Sequence, residues 1–288
     1  MNIQSLSIVV PTGKCWNHCA FCVSHMHHED YGTCILHNNQ PIPRSYLNRI
    51  EFVRDEGCNS MIFTGTAEPQ QNLDFIFNLL SYNKTLRKPF YNITIQTTGS
   101  NFHYEDIKNL ANEGVTTLAL SISSVIDTYN WDIIHTPEKA RTMTLTKLIE
   151  TAKEFNMNVR ACFNLTDEFA LANPKDYFNW CKSKRVDQAT FRKIYADGNG
   201  SEAEWVRAHE FPQKKFDAIK DYIIENGTPI ARLPYGFIQY SVHGISTVID
   251  SNCMDVKTED NLEEMKYAIL RPNGHLYSAW NDTGSLIF

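Results

Sequence analysis

Apolar residues along this chain alternate between two spacings, one typical of β-strands and one typical of helices. Short β-branched runs are each followed by a segment in which apolar residues recur every three or four positions. The predicted strands span residues 7–10, 60–64, 92–97, 115–121, 159–163 and 189–194. The predicted helices span residues 46–56, 73–80, 107–111, 145–155 and 216–223. Gly57 directly follows the first of these helices and Gly114 lies three residues after the end of the third, and glycine is the residue that most often ends a helix.

This order of elements predicts an α/β fold built from six βα units. Parallel strands joined by helices pair through right-handed connections, and six units are too few to close an eight-unit barrel. We therefore expect an open partial (βα)6 barrel with its reactive groups at the carboxyl ends of the strands. From residue 230 the pattern changes to β-like runs at 237–240, 267–270 and 276–280. We interpret residues 1–228 as the barrel and 229–288 as a β-rich C-terminal extension that covers it within a single domain.

Composition narrows the class of protein. The 288 residues, 42% of them hydrophobic, suffice for one sizeable core. The net charge of -6 comes from interleaved acidic and basic residues, so no basic stripe predicts a nucleic-acid partner. No apolar run is long enough to span a membrane and no signal sequence is recognisable, which predicts a cytoplasmic protein without a membrane partner. In that compartment, clustered cysteines indicate metal binding or redox chemistry.

Three of the eight cysteines form a C-x3-C-x2-C loop directly after the first predicted strand. They are Cys15, Cys19 and Cys22, and thiolates are ligands that suit iron–sulfur clusters and zinc. A cubane needs one ligand on each of four irons, so three cysteines leave one iron free to bind something else. The alternative is a structural zinc site with a fourth ligand. Its candidates are His18, His25, His27, His28 and Cys34.

This loop, with Phe21 directly before its last cysteine, resembles the signature of the radical S-adenosylmethionine superfamily. The resemblance implies that the three cysteines hold a [4Fe–4S] cluster whose fourth iron chelates the methionine part of S-adenosylmethionine, and that Phe21 flanks the adenine. It also implies that an electron donor such as flavodoxin or ferredoxin reduces the cluster, which releases a 5′-deoxyadenosyl radical. The remaining cysteines are scattered, which favours one cluster only.

Segments at later strand ends are similar to other motifs of this superfamily. Residues 64–69, Thr-Gly-Thr-Ala-Glu-Pro, resemble its Gly-Gly-Glu-Pro motif, with alanine where a glycine is usual. Small residues there let the backbone approach a ligand, and carbonyl groups can accept the ammonium group of the cofactor. The resemblance thus implies cofactor contacts at Gly65, Thr66, Ala67 and Glu68.

Three more candidate cofactor residues lie on the fourth and fifth predicted strands and directly after the third. Thr98 lies in a turn that resembles one in the branch containing the molybdenum-cofactor GTP cyclase, and Ser121 lies in a segment similar to the Val-Ser-Leu-Asp segment of that branch. Alternation along the fifth strand predicts that Arg160 can turn inward. A buried arginine needs an anion, for which the carboxylate of the cofactor is a candidate.

Three functions remain open from the sequence. The favoured one is a radical enzyme acting on a small organic substrate, such as a nucleotide, sugar or amino-acid derivative. The second is a radical enzyme that modifies a peptide or protein, including activation of a glycyl-radical partner. The third is a non-enzymatic zinc-binding module. The tail lacks the paired glycines with which the GTP cyclase ends, so we do not expect that identity.

Overall fold

A computed structural model describes residues 2–27, 29–36, 40–233, 237–250 and 264–288 of the chain. Its strands are β1 Asn2–Val9, β2 Ser60–Thr64, β3 Asn92–Thr97, β4 Thr117–Ile122, β5 Asn158–Leu165, β6 Gln188–Lys193, β7 Gly227–Arg232, β8 Ile238–Val242, β9 Ile245–Asp250, β10 Glu264–Leu270 and β11 Leu276–Tyr277. Its helices are α1 Val23–Met26, α2 Arg44–Asp55, α3 Leu73–Thr85, α4 Tyr104–Asn112, α5 Asp127–Ile133, α6 Leu145–Glu154, α7 Pro174–Ser183, α8 Ser201–Ala208 and α9 Gln213–Asn226. No helix in these ranges is long and apolar enough to cross a membrane.

The described strands form one sheet, in the order β11-β10-β1-β2-β3-β4-β5-β6-β9-β8-β7. Strands β1 to β6 pair in parallel and in chain order, as the alternation of strands and helices predicts. The sheet is not closed, because β11 and β7 lie at its two ends. The prediction of an α/β partial barrel is therefore confirmed.

The C-terminal extension joins this sheet at both ends. Strand β10 pairs in parallel with β1, and β11 continues the sheet in antiparallel orientation. At the other end, β9 pairs in parallel with β6, followed by the antiparallel strands β8 and β7. Strands of the extension thus widen the sheet on both sides, and the prediction that the extension also packs over the barrel stays a prediction. Residues 251–263 of the extension lie outside the described ranges.

The two faces of the sheet differ in chemistry. Side chains alternate between faces along a strand. On the outer face, apolar residues such as Leu118, Leu120 and Phe163 pack with the helices into one core. On the inner face, the alternate positions of β2 to β6 carry mostly small or polar side chains that are partly exposed. The partly exposed ones include Thr64, Gln96, Ser121, Asn164, Thr190 and Arg192, whereas Cys162 is buried. This face and the carboxyl ends of its strands are therefore available to ligands.

Local signals explain where the helices begin. The side chain of Asn72 accepts a hydrogen bond from the backbone N–H of Phe75 at the start of α3, and Thr144 caps α6 in the same way. Helix α7, absent from the sequence prediction, begins with a capping box between Asn173 and Asp176. Helices α1, α5 and α8 are likewise additional to the prediction.

Candidate active site

The cysteine loop follows β1 and lies against the connections that follow β2 and β3. The side chain of Asn72 donates to the carbonyl of Pro11 over 2.7 Å, just before the loop. Within the loop, the indole N–H of Trp16 donates to the hydroxyl of Ser100 over 2.9 Å. These hydrogen bonds hold the loop at the carboxyl ends of the strands, where ligands bind in parallel α/β folds.

Cys15, Cys19 and Cys22 are free, partly buried thiols that influence one another electrostatically. Burial raises the pKa of all three thiols. For Cys19 the negative charges of Cys22 and Glu68 raise the pKa further. Three thiolates at such close quarters require a positive partner, and soft thiolates suit iron. The donor set therefore fits an iron–sulfur cluster.

The zinc alternative gains no support from the described residues. No group of three or more histidine, cysteine, aspartate or glutamate side chains in these ranges is spaced to hold one metal ion. His25 and His27 instead lie 3.1 and 3.4 Å from carboxylate oxygens of other residues. His18 and Cys34 are exposed, and His28 lies outside the described residues. Thiolates of a cubane each bind a different iron, so they are spaced more widely than the ligands of one ion.

Glu68, at the end of the Thr-Gly-Thr-Ala-Glu-Pro segment, is buried and fully engaged with protein donors. Its carboxylate accepts hydrogen bonds from the side chain of Gln70 at 2.9 Å, from the hydroxyl of Thr97 and from the backbone N–H of Thr98 at 3.2 Å. A fourth donor is the side-chain amide of Asn17, at 3.2 Å. The carboxylate thus joins the cysteine loop to the ends of β2 and β3.

Asn17, between the first two cysteines, has its side chain at the centre of this network. Its amide nitrogen also lies 3.0 Å from the hydroxyl oxygens of Thr98 and Ser100. Its amide oxygen accepts a hydrogen bond from the hydroxyl of Thr136 over 2.9 Å. Asn17 is only 2% exposed, so these bonds replace contacts with water. Four segments of the chain therefore meet at one buried amide.

The backbone at the end of β2 permits close approach, as the small residues predict. A β-carbon added to Gly65 would lie 3.2 Å from the carbonyl oxygen of Ala67 and 3.5 Å from that of Val10. Thr66 is exposed, and Gly65 and Ala67 are partly exposed. These three residues, with Thr98, stand beside the cysteine loop, so the structure brings together this part of the expected cofactor site.

Phe21 contacts a helix that the sequence prediction lacks. Its ring lies 5.8 Å from the ring of Trp205 on α8, and Trp205 in turn stacks on His209 at 4.1 Å. Helix α8 thus borders the cysteine loop on the side of Cys22. Trp205 lies 183 positions or more from any cysteine of the loop, so no local pattern could have found this contact.

Ser121 and Arg160 both point toward the inner face of the sheet, at different depths. Ser121 is the last residue but one of β4 and lies in register with Cys162. Arg160 is the third residue of β5, so about 16 Å of strand separates it from the strand's carboxyl end. Its Nε donates to the side-chain oxygen of Gln188 over 2.7 Å. The structure therefore does not group Arg160 with the other expected cofactor residues.

The network residues Asn17, Gln70, Thr97, Ser100 and Thr136 are absent from the sequence-based site. Four of them lie inside or beside the motifs that resemble the superfamily, which is the signal that could have found them. Thr136 lies in the segment after α5, and only the fold brings it to the loop.

Solved structures share this fold at low sequence identity. SuiB of Streptococcus suis, bound to S-adenosylmethionine, is 14% identical with a TM-score of 0.59, and the alignment covers 96% of this chain and 60% of SuiB. The structure of native anSMEcpe with bound AdoMet is 14% identical with a TM-score of 0.60, and the alignment covers 99% of this chain and 77% of that one. This chain thus spans about 60% of the length of SuiB. No curated protein matches it.

A family profile carries the assignment. Residues 9–167 match the profile of the Radical SAM superfamily, which is more than half of the chain. The match begins at the end of β1, includes the cysteine loop and the Glu68 network, and continues past β5. Members of that superfamily are enzymes that bind a [4Fe–4S] cluster and S-adenosylmethionine. This chain belongs to the Radical SAM superfamily.

Proposed function

We propose that this enzyme abstracts hydrogen from a small organic substrate, such as a nucleotide, sugar or amino-acid derivative. Cys15, Cys19 and Cys22 would hold the cluster, which when bound would supply the electron for reductive cleavage of S-adenosylmethionine and thereby the radical chemistry that removes hydrogen from the substrate. The observation that carries the proposal of a small substrate is the inner face of the sheet. Its small, polar and partly exposed side chains, including Thr64, Gln96 and Asn164, offer hydrogen bonds to a compact polar molecule.

We assign roles to individual residues from their positions in the cysteine loop and at the carboxyl ends of the strands. Cys15, Cys19 and Cys22 would hold one cluster, with no other protein ligand. The partly exposed backbone of Gly65, Thr66 and Ala67 would accept the ammonium group of the cofactor, as carbonyl oxygens can. We also propose that Glu68 and Thr98 contact the cofactor beside this backbone. Phe21 would flank the adenine, and Ser121 would donate a hydrogen bond to the cofactor from the end of β4.

Glu68 has a further role in this proposal. Because its carboxylate already accepts hydrogen bonds from four protein groups, it fixes the loop relative to β2 and β3. The buried network excludes water from one side of the cysteine loop, since Asn17, Glu68 and Ser100 are all nearly inaccessible. A site held in this way needs little rearrangement when the cofactor binds.

A peptide or protein substrate is the second candidate, with activation of a glycyl-radical partner as one form of it. Exposed apolar side chains follow β4 and β5 at the carboxyl ends of the strands, namely Val125, Ile126, Tyr129 and Leu171. Exposed apolar patches mark interaction sites. The structures of SuiB bound to the precursor peptide SuiA and of anSMEcpe with the Cp18Cys peptide share the fold.

We further propose that residues 1–228 and the extension 229–288 act as one domain, because strands of both belong to one sheet. Flavodoxin or ferredoxin is the proposed electron donor. A cytoplasmic location is proposed because the described cysteines are free thiols, which that compartment keeps reduced.

The test is cofactor cleavage by anaerobically reconstituted, reduced protein. We expect 5′-deoxyadenosine and methionine by chromatography from the wild type and none from Cys19→Ala. No 5′-deoxyadenosine above a protein-free control, with an intact cluster, would refute the proposal. Adding the small-molecule or the peptide fraction of a cell extract then separates the two candidates. The fraction that raises the yield of 5′-deoxyadenosine contains the substrate.

A further inference from the structure

Arg160 stands on the inner face of the barrel, deeper than the expected cofactor site. It occupies the same face of β5 as Cys162 and Asn164, opposite the core residues Ala161 and Phe163. In the sheet it is in register with Ala119 on β4 and Gln188 on β6. The guanidinium group thus lies in the interior where we place the substrate.

The contacts of this guanidinium are incomplete. Its Nε donates to the side-chain oxygen of Gln188, which leaves four N–H groups on its two terminal nitrogens. Among the described residues, no carboxylate and no other acceptor pairs with them. Burial lowers the pKa of Arg160, and the positive charge of Arg192 lowers it further, while the neighbouring Cys162 acts in the opposite direction. Burial of the guanidinium thus disfavours its charged form unless an anion pairs with it.

Two other arginines of the described chain pair with carboxylates, which Arg160 does not. Arg44 pairs with Glu51 and Arg141 with Asp132. Arg160 instead contacts the neutral side-chain amide of Gln188. Its other charged neighbour is a second arginine, Arg192, which lies on β6 on the same inner face of the sheet. A partly buried guanidinium without a carboxylate partner is stabilised when an anion binds beside it.

We propose that Arg160 binds an oxyanion of the substrate, a carboxylate or a phosphate, through its two terminal nitrogens. The hydrogen bond from Nε to Gln188 orients the planar guanidinium group. Its two terminal nitrogens can then each donate to one oxygen of a carboxylate or phosphate. This inference rests on the proposed function, because it assumes that the inner face receives the substrate. It also reassigns Arg160 from the cofactor's carboxylate to the substrate.

The test uses reconstituted, unreduced holoprotein saturated with S-adenosylmethionine, so that the cofactor's own site is occupied. Sodium phosphate and sodium acetate are titrated separately at constant ionic strength, and the midpoint of thermal unfolding is followed. We expect a saturable rise for the wild type with one of the two anions. Arg160→Gln should weaken this binding by about tenfold or more, because it removes the charged fork. Arg232→Gln, an exposed change of the same charge, should not alter it.

The outcomes separate the possible sources of the anion. A response to phosphate indicates a phosphorylated substrate, and a response to acetate indicates a carboxylate. No saturable response in the wild type, or an equal one in Arg160→Gln, would overturn the inference. So would a tenfold loss of affinity for S-adenosylmethionine in Arg160→Gln, since Arg160 would then bind the cofactor. If that variant fails to fold, Arg160→Lys serves instead: weaker anion binding is expected, and binding equal to the wild type contradicts the proposal.

Failure of this inference can be told from failure of the proposed function. The anion titration involves no reduction and no radical, and 5′-deoxyadenosine is measured on the same preparation. Anion binding without cleavage of S-adenosylmethionine would refute the proposed function but would support the anion site at Arg160. Cleavage without anion binding would refute only the role of Arg160.

Discussion

Replacing Asn17 by alanine tests whether the buried network determines the position of the cysteine loop. The change removes a side chain that is 2% exposed and that joins the loop to Glu68, Thr98, Ser100 and Thr136. We expect both a lower free energy of unfolding of the cluster-free protein and a lower iron content after reconstitution.

The magnitude follows from the bonds that are lost. A hydrogen bond to a charged group contributes about 1.5 to 3 kcal/mol, and the neutral bond from Thr136 about 1 kcal/mol. Glu68 keeps its donors Gln70, Thr97 and Thr98, so its carboxylate does not become unpaired. We therefore expect a loss of about 2 to 4 kcal/mol.

The assay is urea unfolding of the cluster-free protein, followed by iron analysis of reconstituted samples. Asn78→Ala, on the exposed face of α3, is the control and should change stability by less than about 0.5 kcal/mol. If Asn17→Ala is as stable as that control, the network contributes nothing to the fold. If it is unstable yet binds iron fully, the network stabilises the protein without positioning the loop.

Three further predictions concern the cofactor, the cluster and pH. Ser121→Ala should weaken binding of S-adenosylmethionine by about 1 kcal/mol, and Ala67→Leu should weaken it by blocking backbone approach; unchanged affinity in calorimetric titration of both would show that these strand ends are misplaced. Iron analysis should return about four irons per chain, as one cubane requires. Cys34→Ala should leave this count and cofactor cleavage intact while Cys19→Ala abolishes both; about eight irons would indicate a second cluster. Burial raises the pKa of Cys181 from 9.0 to about 12. Its thiol therefore stabilises the fold fully below pH 9, and this contribution is lost as pH rises toward 12, by up to about 1.4 kcal/mol per pH unit. Urea unfolding of the wild type and of Cys181→Ala should diverge in that window, and parallel curves would contradict the shift.

The local pattern of the sequence predicted much of the barrel. The observed bounds of β2 and β3 coincide with the prediction, because alternating apolar residues there end at polar or glycine-containing turns. Helix α7 is absent from the prediction although Asn173, Pro174 and Asp176 form a recognisable start of a helix. The parallel pairing of β10 with β1 joins residues more than 250 positions apart, and no local pattern encodes such a pair.

The cluster ligands could be named from the sequence because their spacing within one loop is itself the signal. The other residues of the site come from segments far apart in the chain, so local sequence patterns do not show that they lie together. Asn17 meets Thr136 only because the segment after α5 folds back over the loop, and Phe21 meets Trp205 only through α8. Alternation indicated that Arg160 turns inward, but its depth depends on the register of β5 between β4 and β6. Sequence spacing thus determined the chemistry of the metal ligands, whereas strand register and long-range packing decided which residues support the cysteine loop and which line the interior.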